Sequence, residues 1–296
     1  MPNLKEVRNR ITSVKSTQQI TAAMKLVAAS KLRKAQNAIV KLRPYAVKQQ
    51  EILGNLSGAL EEADLGAFTE VREAKKVLVV AFSSNRGLCG AFNTNVIKKV
   101  RSLMDDDFPA LTAAGGIDLI LVGRKAGEHF EKRGYAVKLR PDDLYDNLSF
   151  EKVVPLAETL MQSFRNKEYD RIILVYNQFK NAAIQRLVSE QFLPVVQLPS
   201  GGKVSSQSAD YIFEPSRNVI LQELLPKILK IQLYKAILDS FASEHGARMT
   251  AMQQATDNAK ELLRELQLSY NKARQAAITT EILEIVSGAN ALKEQS

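Results

Sequence analysis

The sequence predicts an α/β protein in which a long antiparallel coiled coil of the N- and C-terminal helices accompanies a central Rossmann-like α/β domain. Two heptad seams, one at each end of the chain, and a strand–helix alternation between them carry that prediction. They divide the chain into an N-terminal coiled-coil helix over 1–60, a central domain over 70–215 and a C-terminal coiled-coil helix over 216–296.

The N-terminal segment has no proline between Pro2 and Pro44, and its first glycine is Gly54. Leu4, Val7, Ile11, Val14, Gln18, Thr21, Lys25, Ala28, Leu32, Ala35, Ile39 and Leu42 recur at steps of three and four. A helix with that repeat lies along another helix. The far end repeats the pattern at His245, Met249, Met252, Thr256, Ala259, Leu263, Leu266, Tyr270, Ala273 and Ala277. Pairing the two seams with each other buries both, and a 3.5-residue period implies a left-handed supercoil. An ordinary helical bundle with polar outer faces is the alternative. The seams include small and polar members, so something outside the pair is expected to help hold it. The upstream stretch "VILQELLPKILKIQLYKAILDSF" is rich in large aliphatics and is expected to pack on more than one neighbour.

The middle alternates. "KKVLVVAFSS", "IDLILVG", "YAVKL" and "DRIILVYNQF" read as strands, with helices between them, and "IQRLVSEQFLPV" and "DYIFEPS" as further strands closing an edge. Strands alternating with helices imply a mostly parallel sheet covered on both faces. "TAAGGID" and "QLPSGGKVSSQSAD" carry the glycines and polar residues of loops.

Composition narrows the function. The formal net charge is +9. Residues 1–50 alone carry eleven Lys/Arg against Glu6, a net of +10, so the excess sits on the first helix. Such a segment expects an acidic partner. The single cysteine, Cys89, allows no internal disulfide, and His129 and His245 lie far apart without a cysteine cluster. No apolar run approaches the ~20 residues that cross a bilayer, and "MPNLKEVRNR" has no apolar signal core.

"SSNRGLCGAFN" (Ser83–Asn93) sits where a phosphate-binding turn would, between a strand and a helix. Gly87 and Gly90 miss the G-x-G-x-x-G spacing, no third glycine follows, and no Gly-Lys-Ser/Thr opens the helix. Arg86 with the first helix amides offers an anion site. A plain surface turn with Cys89 as a small buried filler is the favoured reading. No cofactor, metal site or catalytic constellation is expected.

Three segments carry a family resemblance: "RNRITSVKSTQQITAAMKLVAASKLRKAQ" (Arg8–Gln36), the turn above, and "ATDNAKELLRELQLSYNKARQAAITTEILEIVSGANAL" (Ala255–Leu292). They closely resemble the γ subunit of F-type ATP synthases of bacterial type. Ala91 departs from the family, which commonly has a second glycine there. The resemblance implies a noncatalytic rotor shaft turning inside three α and three β subunits, with ε and the membrane c-ring at its foot. Acidic β loops are then expected to meet Lys25, Lys31, Arg33 and Lys34, with Met24 beside them as a sliding contact or as core packing. Arg248, Gln275, Thr279 and Glu281 are expected at further β loops, and the apolar tip "ILEIVSGANAL" in a collar. "KLRPYA", with Arg43, Pro44 and Tyr45, is expected near ring and ε. It also implies a peripheral subunit on the cytoplasmic face of the bacterial plasma membrane. A nucleotide-dependent enzyme and a basic coiled coil binding nucleic acid are the competing functions; a partnership with nucleic acid is not expected, since sparse aromatics give no base-stacking surface.

Overall fold

The computed structural model describes residues 4–56, 68–195 and 217–294. Two long helices, α1 (Leu4–Leu56) and α6 (Arg217–Glu294), flank the α/β elements in the chain. Their 53 and 78 residues correspond to roughly 80 and 117 Å at the α-helical rise. Between them run β1 (Val77–Phe82), α2 (Phe92–Ser102), α3 (Pro109–Ala113), β2 (Ile117–Val122), α4 (Arg124–Glu131), β3 (Val137–Leu139), α5 (Phe150–Arg165), β4 (Arg171–Phe179) and β5 (Gln185–Leu193). The expected strand at "DYIFEPS" and the expected loop before it lie outside the described residues.

The chain forms two compact units, Met1–Val27 with Met249–Ser296, and Ala28–Arg248. The first is the paired helix ends. Arg8 Nη2 donates to the Tyr270 hydroxyl at 3.1 Å, with its guanidinium 5.9 Å from the ring centroid. Thr256 Oγ1 donates to Thr21 Oγ1 at 2.8 Å. Numbers fall on one helix as they rise on the other, so the pair is antiparallel. Val7, Met252 and Ala259 are buried, and the other seam positions here are half-buried as far as Ala273. The next half-buried residue is Ala276 rather than Ala277, and from 277 to 289 α6 is exposed all round. The helix therefore outruns its partner.

The second unit is a five-stranded sheet of order β3-β2-β1-β4-β5. All neighbours are parallel except β4 and β5. Strand β1, "VLVVAF", is buried at every position, as a central parallel strand covered on both faces must be. Leu78, Val80 and Phe82 point into one core with α5 and the first part of α6. Val77, Val79 and Ala81 point into the other, against α2 and α4. Leu225, Leu229, Leu233, Ala236 and Ile237 of α6 step along the first core at helical spacing. Ile231 and Leu238 are buried as well, which explains the aliphatic richness of this stretch. The short α3 ends on the first two residues of the expected loop before β2, and a π-helical turn over Leu103–Asp107 precedes it.

Leu233 is fully buried between α6 and the sheet. Leu233→Ala is expected to cost about 2–5 kcal/mol, read as a lower midpoint in urea unfolding.

Candidate functional site

In an open α/β sheet the ligand crevice lies outside the carboxyl ends of the strands, where the strand order reverses. Here the reversal falls between β1 and β4. Helix α6 lies across both of those strand ends. Ser243 Oγ donates to the Asn177 carbonyl at 2.9 Å, and Ser240 Oγ makes a long 3.5 Å contact with the Phe82 carbonyl. Gly246 lets the helix press close, since a Cβ there would sit 3.3 Å from the Ala182 backbone. The place a nucleotide would occupy is filled by the protein's own helix.

The turn after β1 faces the same helix. Arg248 Nη2 donates to the Arg86 carbonyl at 2.9 Å and the Gly87 carbonyl at 3.4 Å. Its Nη1 donates to Glu244 Oε1 at 2.6 Å and to His245 Nδ1 at 3.2 Å. The Ser84 hydroxyl also donates to the Arg86 carbonyl, at 2.6 Å. The Ser84 amide is taken by Asn93 Oδ1 at 2.9 Å, and the Phe92 amide by the Cys89 carbonyl at 3.3 Å. This turn presents carbonyls to a cation rather than amides to an anion. Cys89 is buried with Asn93 Nδ2 donating to its sulfur at 3.2 Å, and burial raises its pKa. Ala91 caps α2 at φ −81°, an ordinary backbone angle, so the missing family glycine costs the turn nothing.

Burial dominates the electrostatics. It raises the Glu244 pKa, opposed by Arg248 and Lys31. It pushes His245 down to about 3, helped by the same two cations, so the imidazole is neutral and Nδ1 is free to accept. It also raises Asp239 to about 6, with Lys235 opposing and Glu190 adding. Glu190 accepts from the Tyr176 hydroxyl at 2.7 Å and from Gln232 Nε2 at 2.6 Å.

The residues expected at β contacts divide. Lys31, Arg33 and Lys34 are exposed on α1, and Met24 and Lys25 are half-buried there. Gln275, Thr279 and Glu281 are exposed on α6, where Thr279 Oγ1 donates back to the Gln275 carbonyl at 2.9 Å. Arg43, Pro44 and Tyr45 are exposed on α1, and Tyr45 lines a cleft of about 440 Å³ with Phe150, Val154, Ile231 and Tyr234. Arg248 stands apart: it is 9% exposed and its guanidinium is spent inside the protein. Glu244, Ser240 and Ser243 were not singled out from sequence. Their signal was present in "LDSFASEHGARM", where small and polar residues interrupt an aliphatic helix. No group of three or more His, Cys, Asp or Glu placed to hold a metal occurs among the described residues.

A family model described as ATP synthase matches residues 3–292. The ATP synthase gamma chain of Flavobacterium johnsoniae is 56% identical over 292 residues, 99% of each chain. The chain belongs to the ATP synthase gamma-chain family. Members from Christiangramia forsetii and Chlorobaculum tepidum are 55% and 46% identical, each match covering 99% of this chain and at least 99% of the relative. Among solved structures, a chain of the Tetrahymena thermophila mitochondrial ATP synthase central stalk and c-ring matches with TM-score 0.58 at 25% identity, over 80% of this chain and 99% of that one. A Euglena gracilis mitochondrial ATP synthase chain shares the fold with TM-score 0.68 at 22% identity, over 98% and 94%. The filled crevice thus belongs to a gamma-chain fold.

The two shifted groups make opposite demands on pH. A carboxyl raised in the fold adds stability that is present at low pH and lost as pH rises from about 4 to about 6. Asp239→Asn is therefore expected to stabilise the chain by about 1–3 kcal/mol near pH 7 and little near pH 4. His245, lowered in the fold, contributes stability present above about pH 6.5 and lost as pH falls. His245→Gln is expected to flatten that acid-side decline. Denaturant unfolding across the range reads both.

Proposed function

We propose that this chain is the central rotor shaft of an F-type ATP synthase, coupling proton-driven rotation of the membrane ring to ATP synthesis at the α/β hexamer. In this reading the chain is noncatalytic. It works with three α and three β subunits, ε and the c-ring, peripheral to the cytoplasmic face of the bacterial plasma membrane. The observation that carries the proposal is the overhang of α6 beyond its antiparallel partner. From Ala276 to the end of the helix is about 27 Å at the α-helical rise. Over that length Ile278, Ile282, Leu283, Ile285 and Val286 are at least 47% exposed. A single helix with a broad apolar face left uncovered is a poor surface helix and a good axle end, seated in an apolar collar and free to turn. Full-length kinship to bacterial gamma chains supports the same reading.

The exposed Lys31, Arg33 and Lys34, with Lys25 and Met24 further along α1, suit acidic β loops that are met and left in every turn. Exposed ion pairs are worth only about 0–1 kcal/mol each, so they release as readily as they form. Gln275, Thr279 and Glu281 supply polar contacts to other β loops. Arg43, Pro44 and Tyr45, beside the cleft that Tyr45 lines, supply the foot toward ring and ε. A nucleotide enzyme is disfavoured because α6 fills the crevice such an enzyme needs. No helix among the described residues is long and apolar enough to cross a membrane, which fits a peripheral subunit.

Affinity purification through this chain is expected to bring down α, β, ε and c subunits, identified by mass spectrometry; recovery of the chain alone would overturn the reading. In vesicles carrying the assembled enzyme, the double change Lys31→Glu and Lys34→Glu is expected to lower proton pumping per ATP hydrolysed. An unchanged ratio would remove these lysines from the β contact.

A further inference from the structure

The contacts proposed above give no role to the buried polar cluster of Arg248, Glu244 and His245 against the 83–90 turn. We propose that Arg248 is a positioning residue for torque transfer, a latch that stops α6 from rolling about its own axis where it crosses the sheet ends. The proposal rests on the rotor reading above.

Apolar contacts hold α6 on the sheet, and such contacts are not directional. A stripe of Leu225, Leu229, Leu233 and Ile237 resists lifting far better than it resists rolling. Hydrogen bonds are directional and weaken steeply when bent. Arg248 supplies three to protein oxygens, two from one fork arm to the turn after β1 and one from the other arm to Glu244 on its own helix. A planar guanidinium can serve acceptors on two sides at once, which an ammonium cannot do in the same geometry. His245 fixes the fork further by accepting at 3.2 Å, and its ring packs edge-on to Phe241 at 4.4 Å.

The turn is shaped for this. Leu88 and Gly90 hold left-handed backbone at φ 62° and 59°, a conformation that a residue with a side chain adopts only when its surroundings impose it. Leu88 is 64% exposed, so its side chain gains nothing in return. What the kink achieves is two adjacent carbonyls, Arg86 and Gly87, aimed at one guanidinium. The turn is in addition tied to the rest of the α/β domain: Asn85 Nδ2 donates to the Asp142 carbonyl at 2.7 Å, and Asn85 Oδ1 accepts from the Arg124 amide at 3.1 Å. A load on the domain therefore reaches α6 through Arg248. Lys31 of α1 contributes a second positive charge toward Glu244, opposing the rise that burial causes in its pKa.

The test uses the assembled enzyme in vesicles, measuring ATP hydrolysis without load and the steady proton gradient it sustains. Arg248→Gln is expected to keep most unloaded hydrolysis while the sustained gradient falls several-fold, because a shaft that rolls in its bed slips under load. Glu244→Gln is expected to do the same, and the double variant to be no worse than either single one, since both break one device. Arg248→Lys is expected to recover only part of the gradient. Both ratios are read per assembled complex, so poor folding lowers the amount and not the ratio. A gradient per complex equal to the parent enzyme's overturns the latch. So does an additive loss in the double variant, which would mean that Arg248 works on a partner subunit and not through Glu244. Failure of the rotor reading would look different: the parent chain would not assemble into a pumping complex at all.

Discussion

Everything in this molecule depends on one helix doing two jobs. Helix α6 supplies a face of the α/β core through Leu225, Leu229, Leu233 and Ile237, and the same unbroken helix runs on to pair with α1 through Met252, Thr256 and Ala259. In an ordinary doubly wound domain the open end of the sheet is left for a ligand. Here that end is closed by Ser240, Ser243, Gly246 and Arg248. The fold exchanges a binding crevice for a seat on which α6 rests.

The seam that joins the helix ends is weak by design of its residues. Val7 is buried, but Gln18, Thr21 and Lys25 follow where a strong coiled coil would place large aliphatics. Thr21 and Thr256 meet through a hydroxyl–hydroxyl bond, and Arg8 reaches Tyr270 across the pair. Alanines at 28, 35 and 259 are nearly fully buried, so the backbone comes close where they lie. A seam of this kind holds register through specific contacts more than through bulk burial. Helix α6 is held in addition by the α/β core, where its aliphatic side chains are removed from water at about 25 cal/mol per Å².

Much of this was legible in the sequence, and the parts that were not share a cause. The heptad steps from Leu4 to Leu42 located the buried stripe of α1, because a helix that packs on one neighbour writes its period into its residues. The unbroken apolar run "VLVVAF" located the central strand for the matching reason. Ala277 was expected in the seam and lies outside it, because the repeat continues in the residue types after the partner helix has ended. Arg248 was expected at a β loop and is buried within its own chain, because what covers it is a turn more than 160 residues away in the chain. Helical spacing reports a helix's neighbours only when those neighbours are apolar; the carbonyls of Arg86 and Gly87 leave no mark in the pattern. The turn itself was read for glycines and amides, the vocabulary of anion binding, whereas its backbone points oxygens at a cation.

The most direct test concerns whether the two helix ends move as one body. Thr21 and Thr256 touch through their hydroxyls, so cysteines placed at both positions can be joined by mild oxidation in the assembled enzyme, with Cys89 buried and out of reach. If the pair turns as a single shaft, the cross-linked enzyme retains both ATP hydrolysis and proton pumping. Loss of both on oxidation, restored on reduction, would mean that the helices slide or separate during the cycle and would contradict the shaft.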